Sequence, residues 1–285
     1  MWNVFKTGLL LTLLTLVLVW LGNLIGGQTG LIVALLFAAL MNLGSYWFSD
    51  RLVIAMTGAQ PISESDAPEL YAMVRRLVQR AGLPMPRLYL LPEMQPNAFA
   101  TGRDPQHGVV AVTQGLLQLM DRQEVEGVIA HELAHIRNRD TLIMAVAATI
   151  VGAISALAHM FYYATLFFGH RDERGGSPFA ALALVILAPM AAMIVQLAIS
   201  RAREYEADRI GAMIAGTPIG LANALRKLEA AAERIPAEHA QPATAHMYIV
   251  NPLRGGGLYA LFSTHPPVQE RIRRLMAMPP QLEVA

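Results

Sequence analysis

Two histidines flanking a glutamate, in His131-Glu132-Leu133-Ala134-His135, carry the most telling chemistry in this 285-residue chain. On a helix, side chains four apart share one face, so both imidazoles can reach a single ion. Glu132 stands beside them, placed to take a proton from a water on that ion. This is the H-E-x-x-H pattern of zinc peptidases, with two neutral imidazole ligands and a general base. The bland alternative is a pair of unrelated surface histidines on an ordinary helix. The segments that follow favour the metal.

A catalytic zinc site commonly has three protein ligands and a water, so a third ligand is needed. The chain has no cysteine, which leaves His, Asp and Glu to supply it and excludes a disulfide framework. The run Ser200-Arg201-Ala202-Arg203-Glu204-Tyr205-Glu206-Ala207-Asp208 offers carboxylates where an apolar hairpin would return the chain to the surface it left near Asp140. Glu204 and Asp208 are four apart, so one could bind zinc while the other supports a ligating histidine. A solvated acidic face paired with nearby arginines fits the same spacing. Among the other histidines, His159 suits packing between apolar helices, and His107, His170, His239 and His246 are given no role.

Apolar residues make up 54% of the chain and charged ones only 15%, the balance of a membrane protein. No charge occurs between Lys6 and Asp50, and Gly26-Gly27-Gln28-Thr29-Gly30 breaks that stretch. It is read as two spans, about 7–25 and 31–48. A cleaved signal peptide is disfavoured, because a second span follows at once and no small-x-small site is convincing. Two further spans, about 142–168 and 178–199, flank the charged turn Arg171–Gly176. Lys6, Arg51, Arg137, Arg139, Arg201 and Arg203 all fall on one side. Both termini, segment 50–140 and segment 201–285 are therefore expected in the cytoplasm. The organisation is two membrane hairpins, 1–49 and 141–200, and a soluble part assembled from 50–140 and 201–285. A net charge of +1 gives no reason to propose nucleic acid, and nothing speaks to oligomeric state.

The soluble segments read as mainly helical with a small β-sheet. Asp66 with Glu69 predicts a capped helix over Leu70, Met73, Val74, Leu77 and Val78, ending at Gly82. Arg87–Leu91 and 108–113 are strand candidates. Asp121 with Glu124 caps the helix that bears the histidines. Thr217-Pro218 opens another helix, and 268–276 reads as a last short one. Asn97-Ala98-Phe99-Ala100 suits an exposed edge strand that pairs with an extended substrate, or a plain turn after Pro96. His265, in Thr264-His265-Pro266-Pro267, suits a donor to a tetrahedral oxyanion, or a helix cap. Arg271, Arg273 and Arg274 read as a solvated basic face near anionic lipid.

In order along the chain, the Asn97–Ala100 tetrapeptide, the H-E-x-x-H, the Ser200–Asp208 run and Ser263-Thr264-His265-Pro266-Pro267 resemble the HtpX family of bacterial membrane zinc metalloproteases. That family is related to the CAAX prenyl endopeptidases. The likeness covers nearly the whole chain, including the pattern of spans. It implies a gluzincin-type fold and one Zn²⁺ per subunit held by His131, His135 and Glu204; Asp208, one turn further along, is then the carboxylate expected to steady a ligand. It also implies endopeptidase activity against damaged or misassembled membrane proteins under stress, in the bacterial inner membrane. Charged flanks at Glu124, Glu126, Arg137, Arg139 and Asp140 argue against a site within the lipid. An intact Glu132 argues against a scaffold that has lost its chemistry.

Overall fold

The computed structural model describes residues 2–151, 201–235, 242–250 and 266–281. Helix α1 (Trp2–Thr57) is helical along its length but is not one rod. Asn42 Nδ2 donates to Thr15 Oγ1 at 2.9 Å, whereas a straight helix would hold these residues about 40 Å apart. Gly27, with φ of 57°, takes the left-handed conformation that glycine tolerates and turns the chain back. The glycine-rich break predicted between the first two spans is thus the bend between two antiparallel arms. The stretch Gly27–Phe48 is long and apolar enough to cross a membrane. Its Leu36, Phe37, Leu40, Leu43, Trp47 and Phe48 remain exposed, an apolar surface of the kind lipid covers.

Strands β1 (Gln60–Pro61), β2 (Arg87–Leu91), β3 (Ala98–Thr101) and β4 (Val109–Thr113) form one sheet in the order β1-β2-β4-β3. β2 and β4 run parallel, from Arg87 opposite Val109 to Leu91 opposite Thr113. β3 runs antiparallel to β4, with Ala98 opposite Val112. Helices α2 (Pro68–Ala81), α3 (Gln114–Leu119), α4 (Arg122–Arg137) and α5 (Asp140–Val151) belong to the same half of the chain. Helices α6 (Arg201–Ala215), α7 (Ile219–Ala232), α8 (Pro242–Ala245) and α9 (Val268–Met276) come from the other half. Side chains alternate across the strands, and both sheet faces are buried. Leu88, Ala98, Ala100, Val110 and Val112 pack with α2, α4, α6 and α7. Leu91, Phe99 and Ala111 pack with α5 and with Leu11 and Met41 of α1. Burial on both faces explains why β4 is apolar from Val109 to Val112 rather than alternating.

The expected capping of α4 is present. Asp121 Oδ1 accepts from Glu124 N and Glu124 Oε2 accepts from Asp121 N, each at 2.9 Å. The corresponding reading for α2 is corrected. Its N-cap is Ala67 with no side-chain cap, and Pro68 occupies the first turn. Asp66 instead accepts from the backbone N–H and hydroxyl of Ser63, which engages its carboxylate in the turn before the helix. Of the third and fourth apolar stretches, only α5 is described. The remainder of 142–168 and all of 178–199 lie outside the described residues.

Candidate metal centre

Helix α4 uses Val128, Ile129, Leu133 and Ile136 to anchor itself in the core, which fixes the direction of its other face. On that face His131, Glu132 and His135 are all buried. Helix α6 lies close against it. A Cβ at Gly211 would stand 2.8 Å from His131 Cα and 2.9 Å from His131 N, so only glycine permits this approach. Glu204 and Asp208 precede Gly211 on the same side of α6 and are carried to the histidines, both buried. Glu206 points outward and pairs with Arg209 at 2.6 Å. A solvated acidic face therefore describes Glu206 but not its two neighbours.

Donor atoms of His131, His135 and Glu204 lie within 4.8 Å of one another. His131 Nε2 is 3.8 Å from Glu204 Oε2, and His135 Nε2 is 3.6 Å from Glu204 Oε1. Two atoms each about 2.1 Å from a tetrahedral ion stand about 3.4 Å apart, so the spacing suits one. The imidazoles meet edge to face, their centroids 4.8 Å apart. Each is backed by a carboxylate: His131 Nδ1 faces Asp208 Oδ1 at 3.0 Å, and His135 Nδ1 faces Asp140 Oδ2 at 3.1 Å. A carboxylate behind Nδ1 keeps the proton there and leaves the Nε2 lone pair for a metal. Asp140 reaches this place because Arg139 adopts a left-handed φ of 57°, which turns the chain sharply between α4 and α5.

Two contributors escaped the sequence reading. Asp140 reads there only as a charged flank. Arg271, expected on a solvated basic face, is wholly buried and pairs with Asp208 through Nη2 at 2.7 Å, with Nη1 3.8 Å from Glu204. That expectation is overturned for Arg271. Arg273 and Arg274 are exposed to solvent as expected, and both pair with Glu270. Periodicity alone offered a signal: in α9 Arg271 shares the inward face with Ile272 and Leu275.

Four carboxylates, those of Glu132, Asp140, Glu204 and Asp208, surround the two imidazoles, with Arg203 and Arg271 beside them, an acid-rich pocket that suits a cation. Burial alone would lower the pKa of His135. The Asp140 hydrogen bond and the charges of Glu204, Asp140 and Glu132 instead raise it to about 9, so the local field favours positive charge. Burial opposes ionisation of Asp208, yet Arg271 and His131 hold its carboxyl well below the usual range. Burial pushes the Glu132 carboxyl up, against the pull of both imidazoles and Arg271.

Ala98, Phe99 and Ala100 lie in strand β3 rather than in a turn, with Asn97 just before it, and β3 is the sheet's last strand on its side among the described residues. Its side chains are buried, so "exposed" is corrected: Ala98, Phe99 and Ala100 pack into the two layers that flank the sheet. Asn97, at the start of β3, is committed to internal hydrogen bonds with Ile249 N and Val250 O. His246 is buried against the Met144 carbonyl at 3.0 Å. His265 lies outside the described residues.

Paired histidines on one helix, a glutamate between them and an acidic side chain delivered by a second helix together define a metallopeptidase site. The chain belongs to peptidase family M48, whose pattern matches residues 64–278. It is a metalloprotease. A protein described as "Protease HtpX homolog" from Syntrophotalea carbinolica is 58% identical over 97% of this chain and 99% of that protein. Proteins of the same description from Ralstonia nicotianae, at 55% identity over 98% of this chain and 97% of that protein, and Syntrophobacter fumaroxidans, at 52% over 96% and 99%, are similar throughout. The structure described as "Crystal Structure of S. mikatae Ste24p" is 17% identical, with a TM-score of 0.46 covering 86% of this chain and 57% of that one.

Proposed function

We propose that this chain is a membrane-embedded zinc endopeptidase acting at the cytoplasmic face on misfolded or damaged membrane proteins. One observation carries the reading. Two carboxylate-backed histidines present their Nε2 atoms toward Glu204, with Glu132 between them in the motif, in a buried, acid-rich site. His131, His135 and Glu204 are the proposed ligands of one Zn²⁺. The ion, when bound, would act as a Lewis acid and make water acidic near neutral pH. Zinc suits a set of two imidazoles and one carboxylate.

Glu132 takes the proton of the attacking water and returns it to the leaving amine. Asp208 and Asp140 hold the imidazoles in the tautomer that leaves Nε2 unprotonated. His265 donates to the oxyanion of the tetrahedral intermediate; the helix opened by its Thr-His-Pro-Pro turn is the one that carries Arg271 to the site. The backbone of Asn97, Ala98, Phe99 and Ala100, at the sheet edge, pairs with an extended substrate. The exposed apolar arm of α1 and the basic residues flanking the apolar stretches support a membrane setting with the site on the cytoplasmic side.

The test compares wild type with Glu132→Gln and His265→Ala by zinc content and casein hydrolysis. Glu132→Gln is expected to retain zinc and lose several orders of magnitude in turnover. His265→Ala should retain zinc and lose roughly a hundredfold. Near-normal turnover in either variant removes that residue from the mechanism. Membrane proteins captured by the Glu132→Gln form in cells would support the substrate class, and capture of soluble proteins alone would reject it.

A further inference from the structure

Arg271 has no part in the steps above, yet it occupies the centre of the site. It donates Nε to Asp208 Oδ2 at 2.8 Å and Nη2 to Asp208 Oδ1 at 2.7 Å, a two-pronged pairing. The same Asp208 oxygen faces Nδ1 of the proposed ligand His131. From its other side Arg271 donates Nη1 to the Ile249 carbonyl at 3.1 Å. Ile249 N in turn donates to Asn97 Oδ1 at 3.0 Å, and Asn97 Nδ2 donates to Val250 O at 3.0 Å. Asn97 is itself pinned to β4, its N–H donating to Thr113 Oγ1 and its carbonyl accepting from Thr113 N. Hydrogen bonds therefore run from the start of the edge strand, through residues 249–250 and Arg271, to Asp208, whose carboxylate lies 3.0 Å from Nδ1 of the proposed ligand His131.

We propose that Arg271 is a positioning residue that locks His131 to the start of β3, so that the metal and the substrate-pairing edge keep one fixed relation. The inference rests on the zinc-peptidase reading. Arginine fits the place because its planar fork meets both Asp208 oxygens while a third nitrogen reaches a carbonyl on the far side. Lysine, a point charge, can hold Asp208 but not both partners in one geometry. An apolar residue would leave Asp208 buried and ionised with its main counter-charge removed.

The full-length protein in detergent is compared with Arg271→Lys, Arg271→Ala and Asn97→Ala. Zinc affinity is measured by chelator competition without substrate, and melting temperature, kcat and KM are measured alongside. Arg271→Lys should melt close to wild type yet bind zinc roughly 10–100-fold more weakly, the usual effect of removing an outer partner. Its kcat should fall more than its KM rises. Added methylguanidinium should restore zinc affinity to Arg271→Ala, and methylammonium should not. Asn97→Ala should also weaken zinc binding, though it is remote from the ion. Arg271→Lys with wild-type zinc affinity and kcat overturns the proposal. So does Asn97→Ala that raises KM with zinc affinity untouched, because the strand and the metal would then be independent. If wild type itself neither binds zinc nor cleaves, the zinc-peptidase reading falls and takes this inference with it. Zinc-binding, active wild type with unmoved variants defeats this inference alone.

Discussion

Glu204 and Glu206 share one helix and one chemistry but meet opposite surroundings, the first buried among histidines and arginine, the second exposed beside Arg209. Glu204→Ala should therefore release zinc or weaken it strongly, while Glu206→Ala leaves zinc content and turnover near wild type. Metal analysis of both purified variants decides the matter, and the reverse result would mean a different register for α6. At this scale the motif residues were legible because their function dictates their spacing. Asp140 was not, because a left-handed residue between two helices brings it beneath His135, and no periodicity announces that turn. Arg271 was hidden by its type. An arginine among charged neighbours reads as surface unless its counter-charge, 63 positions away, is already known to be there.

Helix-to-helix contact, more than any loop, assembles the site. Gly211 sets the distance between α6 and α4, and a methyl group there would overlap the His131 backbone. Gly211→Ala should cost about 1–3 kcal/mol by overpacking. Because the strain falls at His131, zinc affinity should drop with it, as thermal melting and chelator competition on one sample would show. A variant as stable and as tight as wild type would mean that the helices can part without moving the ligands. Most elements were readable from local pattern: β2 and α9 begin and end where their residue types suggest, and α4 carries its capping box. The cap of α2 misled because Asp66 has two candidate sets of donors, and sequence cannot rank a turn against a helix end. The burial of β3 was equally unreadable, since the layers that cover it come from distant segments.

Across the whole molecule, the fold-back of α1 at Gly27 and the apolar surface on its second arm match a hairpin made for lipid. If the site is cytoplasmic, a reporter active only in the cytoplasm should work when fused after Ala285 and fail when fused at Gly175. The opposite pattern would place the site across the membrane and reject the proposed orientation. Pairing of the two arms was foreseeable from the glycine-rich interruption. The hydrogen bond that joins them was not, because neither Thr15 nor Asn42 stands out in an apolar run.

The proposed ligand set is split between α4 and α6, and that division has a consequence in time. His131 and His135 leave the ribosome about seventy residues before Glu204 does. At roughly 5–20 residues per second, that interval lasts about 4–14 s. Throughout it the nascent chain holds two histidines and a base but no third ligand, and Gly211 has not arrived to seat the second helix. With that ligand set, hydrolytic power would be withheld while the intervening apolar segment is being made, and a protease built this way would stay inert until its last third begins to emerge.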